Sequence, residues 1–147
     1  MMRVAIGSEP RLLNILRCVV EFRAQAAGLS KSNSEYLALA IDEAAANIIR
    51  HTYGGRPDAV VALEVHNLPD RLEFILEDSG PKVCQDQIRP RPLDELRPGG
   101  LGTFFIYSFM DECSYDPGFE QGNRLKLVKF LNRKGAWCNE GSSAKSG

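Results

Sequence analysis

A carboxylate and a carboxamide, Glu43 and Asn47, stand one helical turn apart in the run Asp-Glu-Ala-Ala-Ala-Asn-Ile-Ile-Arg-His from Asp42 to His51. On a helix, Leu37, Ile41, Ala44 and Ile48 share one apolar face, and Tyr36, Ala40, Glu43 and Asn47 form a stripe along its edge. A carboxamide oxygen is a neutral hard ligand for a Mg²⁺ that keeps most of its waters and is held mainly by nucleotide phosphates. A carboxylate on the same stripe can take a proton from the atom that attacks a terminal phosphoryl group, or orient that atom. The same pair also suits a plain solvated helix edge, since Glu is a good helix former and Asn is tolerated. The chemistry therefore depends on what the rest of the chain supplies.

Two further stretches bear on it. Asp78 lies in Asp-Ser-Gly-Pro at the end of an apolar strand, where a carboxylate can accept a hydrogen bond from an exocyclic amine such as the N6 amine of adenine. Gly80 beside it lets a flat ring come close to the backbone, although the four residues also make good turn chemistry. Gly99-Gly100-Leu101-Gly102-Thr103 precedes a helical pattern, so free backbone N–H groups and the positive end of a helix converge where an anion could bind. The stretch lacks the lysine of a P-loop and follows a proline-rich loop, which excludes Walker A; with no preceding strand and no third glycine it also fails the dinucleotide fingerprint. Standing alone, it could equally be a hinge.

The elements that must carry these residues follow from periodicity and turn chemistry. Arg3 to Ile6 reads as a strand, and Leu12, Ile15, Leu16, Val19 and Val20 recur at helical spacing between a Ser8 cap, with Pro10 in the first turn, and Gly28. Ser32-Asn33-Ser34-Glu35 matches a capping box that would start the helix bearing Glu43 and Asn47, running to about Thr52. After the turn Tyr53 to Asp58, the alternation of Val61, Leu63 and Val65, then of Leu72, Phe74 and Leu76, predicts a hairpin through Asn67 to Arg71 with one buried face. From Pro81 to Pro98 four prolines forbid a long helix, and a loop of this length in a compact domain is functional or disordered. It carries Lys82, Arg89, Arg91 and Arg97, and the three arginines could face phosphates or simply solvent. A helix from Phe104 to Met110 and strands near Cys113 to Tyr115 and Arg124 to Leu131 complete the order. In the last strand Leu125, Leu127 and Lys129 alternate with Lys126, Val128 and Phe130, so the pattern does not choose the inward face. Strands joined mostly by turns predict an α+β fold: a two-layer sandwich of a mixed, mostly antiparallel sheet with helices on one face.

Composition narrows the classes. A chain of 147 residues, 44% hydrophobic and 25% charged, fits one domain with a real core, expected over residues 1–135, with 136–147 as a flexible tail. A net charge of −1 with no long basic run gives no footprint for direct nucleic-acid binding. No signal peptide or membrane span is legible, so no membrane partner and a cytoplasmic location are expected. Cys18, Cys84, Cys113 and Cys138 are too scattered for a zinc site; they are expected to be reduced thiols, with Cys18 and Cys113 in the core. His51, one turn beyond Asn47, suits a cation at the negative end of a helix better than a metal ligand.

The order of the pieces is more specific than any of them. A helix with Glu43 and Asn47, a hairpin ending in Asp78-x-Gly80, a long loop and a Gly100-x-Gly102 helix start resemble the N, G1 and G2 boxes of the GHKL ATPase superfamily. Asp42 to Asn47 followed by His51-x-Tyr53, and Gly99 to Gly102 followed by Met110-Asp111-Glu112, look like the anti-sigma-factor serine/threonine kinases of the RsbW type, over about Arg3 to Asn132. The resemblance implies a GHKL (Bergerat-type) ATP-binding fold that uses ATP and Mg²⁺, phosphorylates a small anti-anti-sigma protein of the STAS type on serine, and sequesters a sigma factor, usually as a homodimer. It implies Glu43 as the catalytic base, Asn47 as the Mg²⁺ ligand, and Asp78 as the adenine anchor with Gly80 beside it. It also implies Gly100, Leu101, Gly102 and Thr103 in a phosphate-binding lid, and Asn123 at the adenine end. The chain departs from the superfamily at Lys82, where a glycine is common, and at Gly122-Asn123, where Gly-Thr is common. Those departures keep a second expectation open, a partner-switch binding module, ATP-binding or nucleotide-independent, without kinase activity. The catalytic part of a sensor histidine kinase is disfavoured, because no upstream dimerisation helix carries a phosphoacceptor histidine. A structural domain that binds no nucleotide is the remaining alternative.

Overall fold

The computed structural model describes residues 1–83, 106 and 108–131. Five strands form one sheet: β1 (Met2–Gly7), β2 (Val60–Asn67), β3 (Arg71–Asp78), β4 (Glu112–Tyr115) and β5 (Asn123–Phe130), in the spatial order β1-β2-β3-β5-β4. All four pairings among the described residues are antiparallel. Two helices, α1 (Leu13–Ala26) and α2 (Lys31–Asn47), pack against each other and cover one face of the sheet.

The alternation along the strands sets that face. Val4, Leu63, Leu76, Leu125 and Tyr115 lie in one cross-strand row, and Met2, Val65, Phe74, Leu127 and Cys113 in the next. Leu63, Val65, Leu72, Phe74, Leu76 and Leu127 are fully enclosed, and from α2 so are Leu37 and Ile41. Burying each such side chain stabilises the fold by roughly 1.5–3 kcal/mol before entropy is counted. The register resolves the last strand: Leu125 and Leu127 face inward with Phe74 and Leu76, and Val128, also buried, lies opposite Glu73 on the other face. That outer face is a charged lattice in which Arg3 pairs with Glu64 and Glu77, Arg124 with Glu77, and Lys126 with Glu73.

Three local expectations need correction. Ser8 does not cap a helix. Its N–H extends the β ladder to the Ala59 carbonyl, and its buried hydroxyl donates to the Arg56 carbonyl and accepts from the Ala59 N–H. A short 3₁₀ turn, Pro10–Leu12, leads into α1 instead. The second helix starts two residues before the Ser32 capping box: the Ser30 hydroxyl accepts from the Asn33 N–H at 3.1 Å, and Leu29, packed on the core, pins the chain there. Cys18 is exposed on α1 rather than buried. Its helix turns Leu16 and Val20 inward, which rotates position 18 to solvent. Cys113 is partly buried against the core as expected, and burial pushes its thiol up to about 11. Cys84, Cys138 and the tail lie outside the described residues.

Candidate functional site

α2 does not end cleanly after Asn47. It widens into a π turn, Ile48–Thr52, in which the Tyr53 N–H bonds to the Ile48 carbonyl. Such turns frequently occur at functional sites because they rotate the side chains around them out of strict helical register. Glu43 and Asn47 lie on the half-exposed edge of this helix end, as their spacing predicts. Their oxygens face one small volume: the Nη2 of Arg50 donates to Glu43 Oε1 at 2.8 Å and to Asn47 Oδ1 at 2.8 Å. Asp42, the other carboxylate of the run, turns away and pairs with Arg17 of α1 at 3.7 Å. Burial raises its pKa, and Arg17 opposes that rise.

The end of β3 supplies the second half. The period of two that directs Leu72, Phe74 and Leu76 toward the helices directs Asp78 there too, so its carboxylate is buried where the core meets the loop. Opposite it in the ladder stands Asn123 of β5, also buried. Asp78 Oδ1 accepts from the Gly80 N–H at 2.9 Å and from Asn123 Nδ2 at 2.9 Å. The same Nδ2 donates to the Pro81 carbonyl at 2.8 Å, and Asn123 Oδ1 accepts from the Val83 N–H at 3.0 Å. Asn123 thereby fixes both the carboxylate and the first residues of the loop. Burial raises the Asp78 pKa, with the hydrogen bonds from Asn123 and Gly80 holding it down. A carboxylate has about four acceptor positions, so Asp78 retains capacity for a ligand amine.

The two halves meet through Tyr53 and Thr52. The buried Tyr53 hydroxyl donates to the Val60 carbonyl at 2.6 Å and accepts from the Ser79 N–H at 2.8 Å, which ties the loop after β3 to the end of the π turn. A Cβ on Gly80 would overlap the Thr52 side chain and lie 3.4 Å from Tyr53. Gly122 is equally constrained: a Cβ there would lie 2.6 Å from the Ser79 Cα and 2.7 Å from the Asp78 carbonyl carbon. Lys82, in place of the usual glycine, lies against the turn between β4 and β5, where its ammonium bonds to the Phe119 carbonyl.

The structure therefore brings Asp78, Gly80 and Asn123 together and Glu43 and Asn47 together, and packs the loop after β3 on the π turn that continues the helix of the second pair. Gly100, Leu101, Gly102, Thr103 and the lid arginines Arg89, Arg91 and Arg97 lie outside the described residues. A neutral carboxamide oxygen and a carboxylate that already share one cationic nitrogen make a donor set that fits a hydrated divalent cation. Among the described residues no cluster of three or more His, Cys, Asp or Glu could hold a metal ion. Two contributors have no assigned part in the sequence reading, Arg50 and Tyr53. Arg50 was findable from its spacing, one and two turns after Asn47 and Glu43. The partners of Tyr53 at Val60 and Ser79 depend on the tertiary fold.

Comparison with known proteins shows the family and the fold. A family model described as histidine kinase-like ATPase domain matches residues 6–129. The chain is 30% identical over 144 residues to the serine-protein kinase RsbW of Bacillus pumilus, covering 91% of this chain and 88% of that one. It is 28% identical over 137 residues to the serine-protein kinase RsbW of Listeria innocua, covering 88% and 86%. In fold it is similar to the histidine kinase domain of the Erythrobacter litoralis EL346 blue-light activated histidine kinase, with a TM-score of 0.52 at 16% identity, covering 84% of this chain and 60% of that one.

Proposed function

The chain belongs to the histidine kinase-like ATPase family, in its RsbW-type serine-protein kinase branch, and on that premise we propose that it transfers the terminal phosphoryl group of ATP to a serine of a small STAS-type anti-anti-sigma protein and otherwise sequesters a sigma factor. The observation that supports the reading is Asp78, buried and oriented by Asn123 and Gly80, in a loop that packs on Thr52 and Tyr53 at the end of the π turn continuing the helix of Glu43 and Asn47.

Each residue has a part its surroundings support. Asp78 accepts from the adenine amine, and Gly80 and Gly122, with no room for a Cβ against Thr52 and against the Asp78–Ser79 backbone, let the chain close tightly around that carboxylate. Asn47 offers its carboxamide oxygen to Mg²⁺, which when bound neutralises charge on the phosphates. Glu43, one turn earlier and partly solvated, takes the proton of the incoming serine hydroxyl or orients it for in-line attack. Positioning and electrostatic stabilisation supply most of the rate, as is general for phosphoryl transfer. Gly100, Leu101, Gly102 and Thr103 complete the phosphate site in this reading, and the kinase works as a homodimer. No helix among the described residues is long and apolar enough to cross a membrane.

The test is Glu43→Gln, assayed for ATP binding and for phosphate transfer to a purified STAS-type anti-anti-sigma protein. Binding within about twofold of wild type with transfer reduced at least ~10²-fold is expected for loss of a general base. Transfer at the wild-type rate would remove Glu43 from the role. Capture of the partner with no transfer even by the wild type would make the chain a binding module.

A further inference from the structure

Arg50 is the one cation that touches both reactive side chains of the helix, among the described residues. Its Nη2 lies 2.8 Å from Glu43 Oε1 and 2.8 Å from Asn47 Oδ1, while the side chain remains about half exposed, at 49%. One nitrogen bridging the two oxygens means that a single cationic centre already sits between them. Asn47 Oδ1 has two lone pairs, yet a divalent ion bound on it would stand within a few ångströms of the guanidinium, and like charges at that distance repel strongly even in a partly solvated setting. Arg50 is in the middle of the π turn and its side chain is about half in solvent, so it can swing away without unpacking the core.

We propose that Arg50 is a positioning residue that shares one seat with the divalent cation. It holds Glu43 and Asn47 facing each other until Mg-ATP arrives, then yields Asn47 Oδ1 to the metal. The bridge also selects which end of the Asn47 amide faces the seat, because a guanidinium can donate only to the oxygen. The proposal rests on the Mg-ATP reading above. It adds a consequence that reading lacks: the chain's own side chain sets how much free Mg²⁺ is needed for ATP to bind.

The experiment is calorimetric titration of the purified full chain with ATP over a series of free Mg²⁺ concentrations, for wild type, Arg50→Gln, Arg50→Lys and Arg17→Gln. Arg17→Gln removes a nearby positive charge that pairs with Asp42 on the same helix but does not touch the seat. The expected result is a half-saturating Mg²⁺ concentration lowered about fivefold or more in Arg50→Gln. Arg50→Lys, which keeps a cation, and Arg17→Gln should stay within about twofold of wild type. A midpoint unmoved in Arg50→Gln, or moved equally in Arg17→Gln, overturns the shared seat while leaving Mg-ATP binding intact. Absence of ATP binding by folded wild type at every Mg²⁺ concentration removes the underlying reading, and this inference falls with it.

Discussion

Asp78 points into the helix-facing side of the sheet, with Oδ1 taken by Gly80 and Asn123 and its pKa raised first of all by burial. The carboxylate is thus held at a cost to the fold. A carboxyl whose folded pKa is above its unfolded value, here 3.8, contributes stability that is fully present below that value and lost as pH rises through the folded pKa. Asp78→Asn keeps an acceptor oxygen for both donors and removes the buried charge, so its Tm at pH 7 should equal or exceed that of wild type, with the advantage shrinking on titration toward pH 4. ATP binding should fall sharply in the same variant. A lower Tm at pH 7 would mean that the charge itself stabilises the site. Asp78 was legible in sequence from its place at a strand end, and Asn123 only as a departure from Gly-Thr. That Asn123 holds the carboxylate follows from the pairing of β3 with β5, which no local pattern specifies.

At the scale of elements, the sequence periodicities locate the strands and helices well because each buries one face: Leu72, Phe74 and Leu76 in β3, or Leu37 and Ile41 in α2, are where alternation and helical spacing put them. Ends were harder. Ser8, Ser30 and Ser32 all resemble caps, and tertiary hydrogen bonding to the Arg56–Ala59 turn claims the first. The π turn after Asn47 has no signature in composition, and it is what brings Thr52 and Tyr53 against the loop after β3. Tyr53 is the joint between the two. Tyr53→Phe keeps the ring in the core but leaves the Ser79 N–H and the Val60 carbonyl without the hydroxyl, a loss of about 1–3 kcal/mol measurable by urea unfolding. ATP affinity should fall by more than that stability change alone would produce in a protein still fully folded. An unchanged affinity would show that the loop after β3 keeps its place without the tether.

In the whole molecule, α2 and the β2–β3 hairpin belong to different layers, and the site exists only where their ends coincide. The order helix with Glu43 and Asn47, hairpin, Asp78-x-Gly80 carried that coincidence in the sequence as a resemblance; the sandwich gives it physical form, because α2 lies on the face toward which Asp78 points. Gly100 to Thr103, which the resemblance offers for the phosphate end of the site, lie outside the described residues. The most direct test of a single Mg-ATP site built from both layers is calorimetric titration with ATP, with and without Mg²⁺, of wild type, Asn47→Ala and Asp78→Ala, each first shown to be folded by circular dichroism. Mg²⁺-dependent binding in the wild type and its loss in both variants, one from the helix layer and one from the sheet, is the expected result. Folded wild type that binds no ATP, or either variant binding Mg-ATP as tightly as wild type, would contradict it.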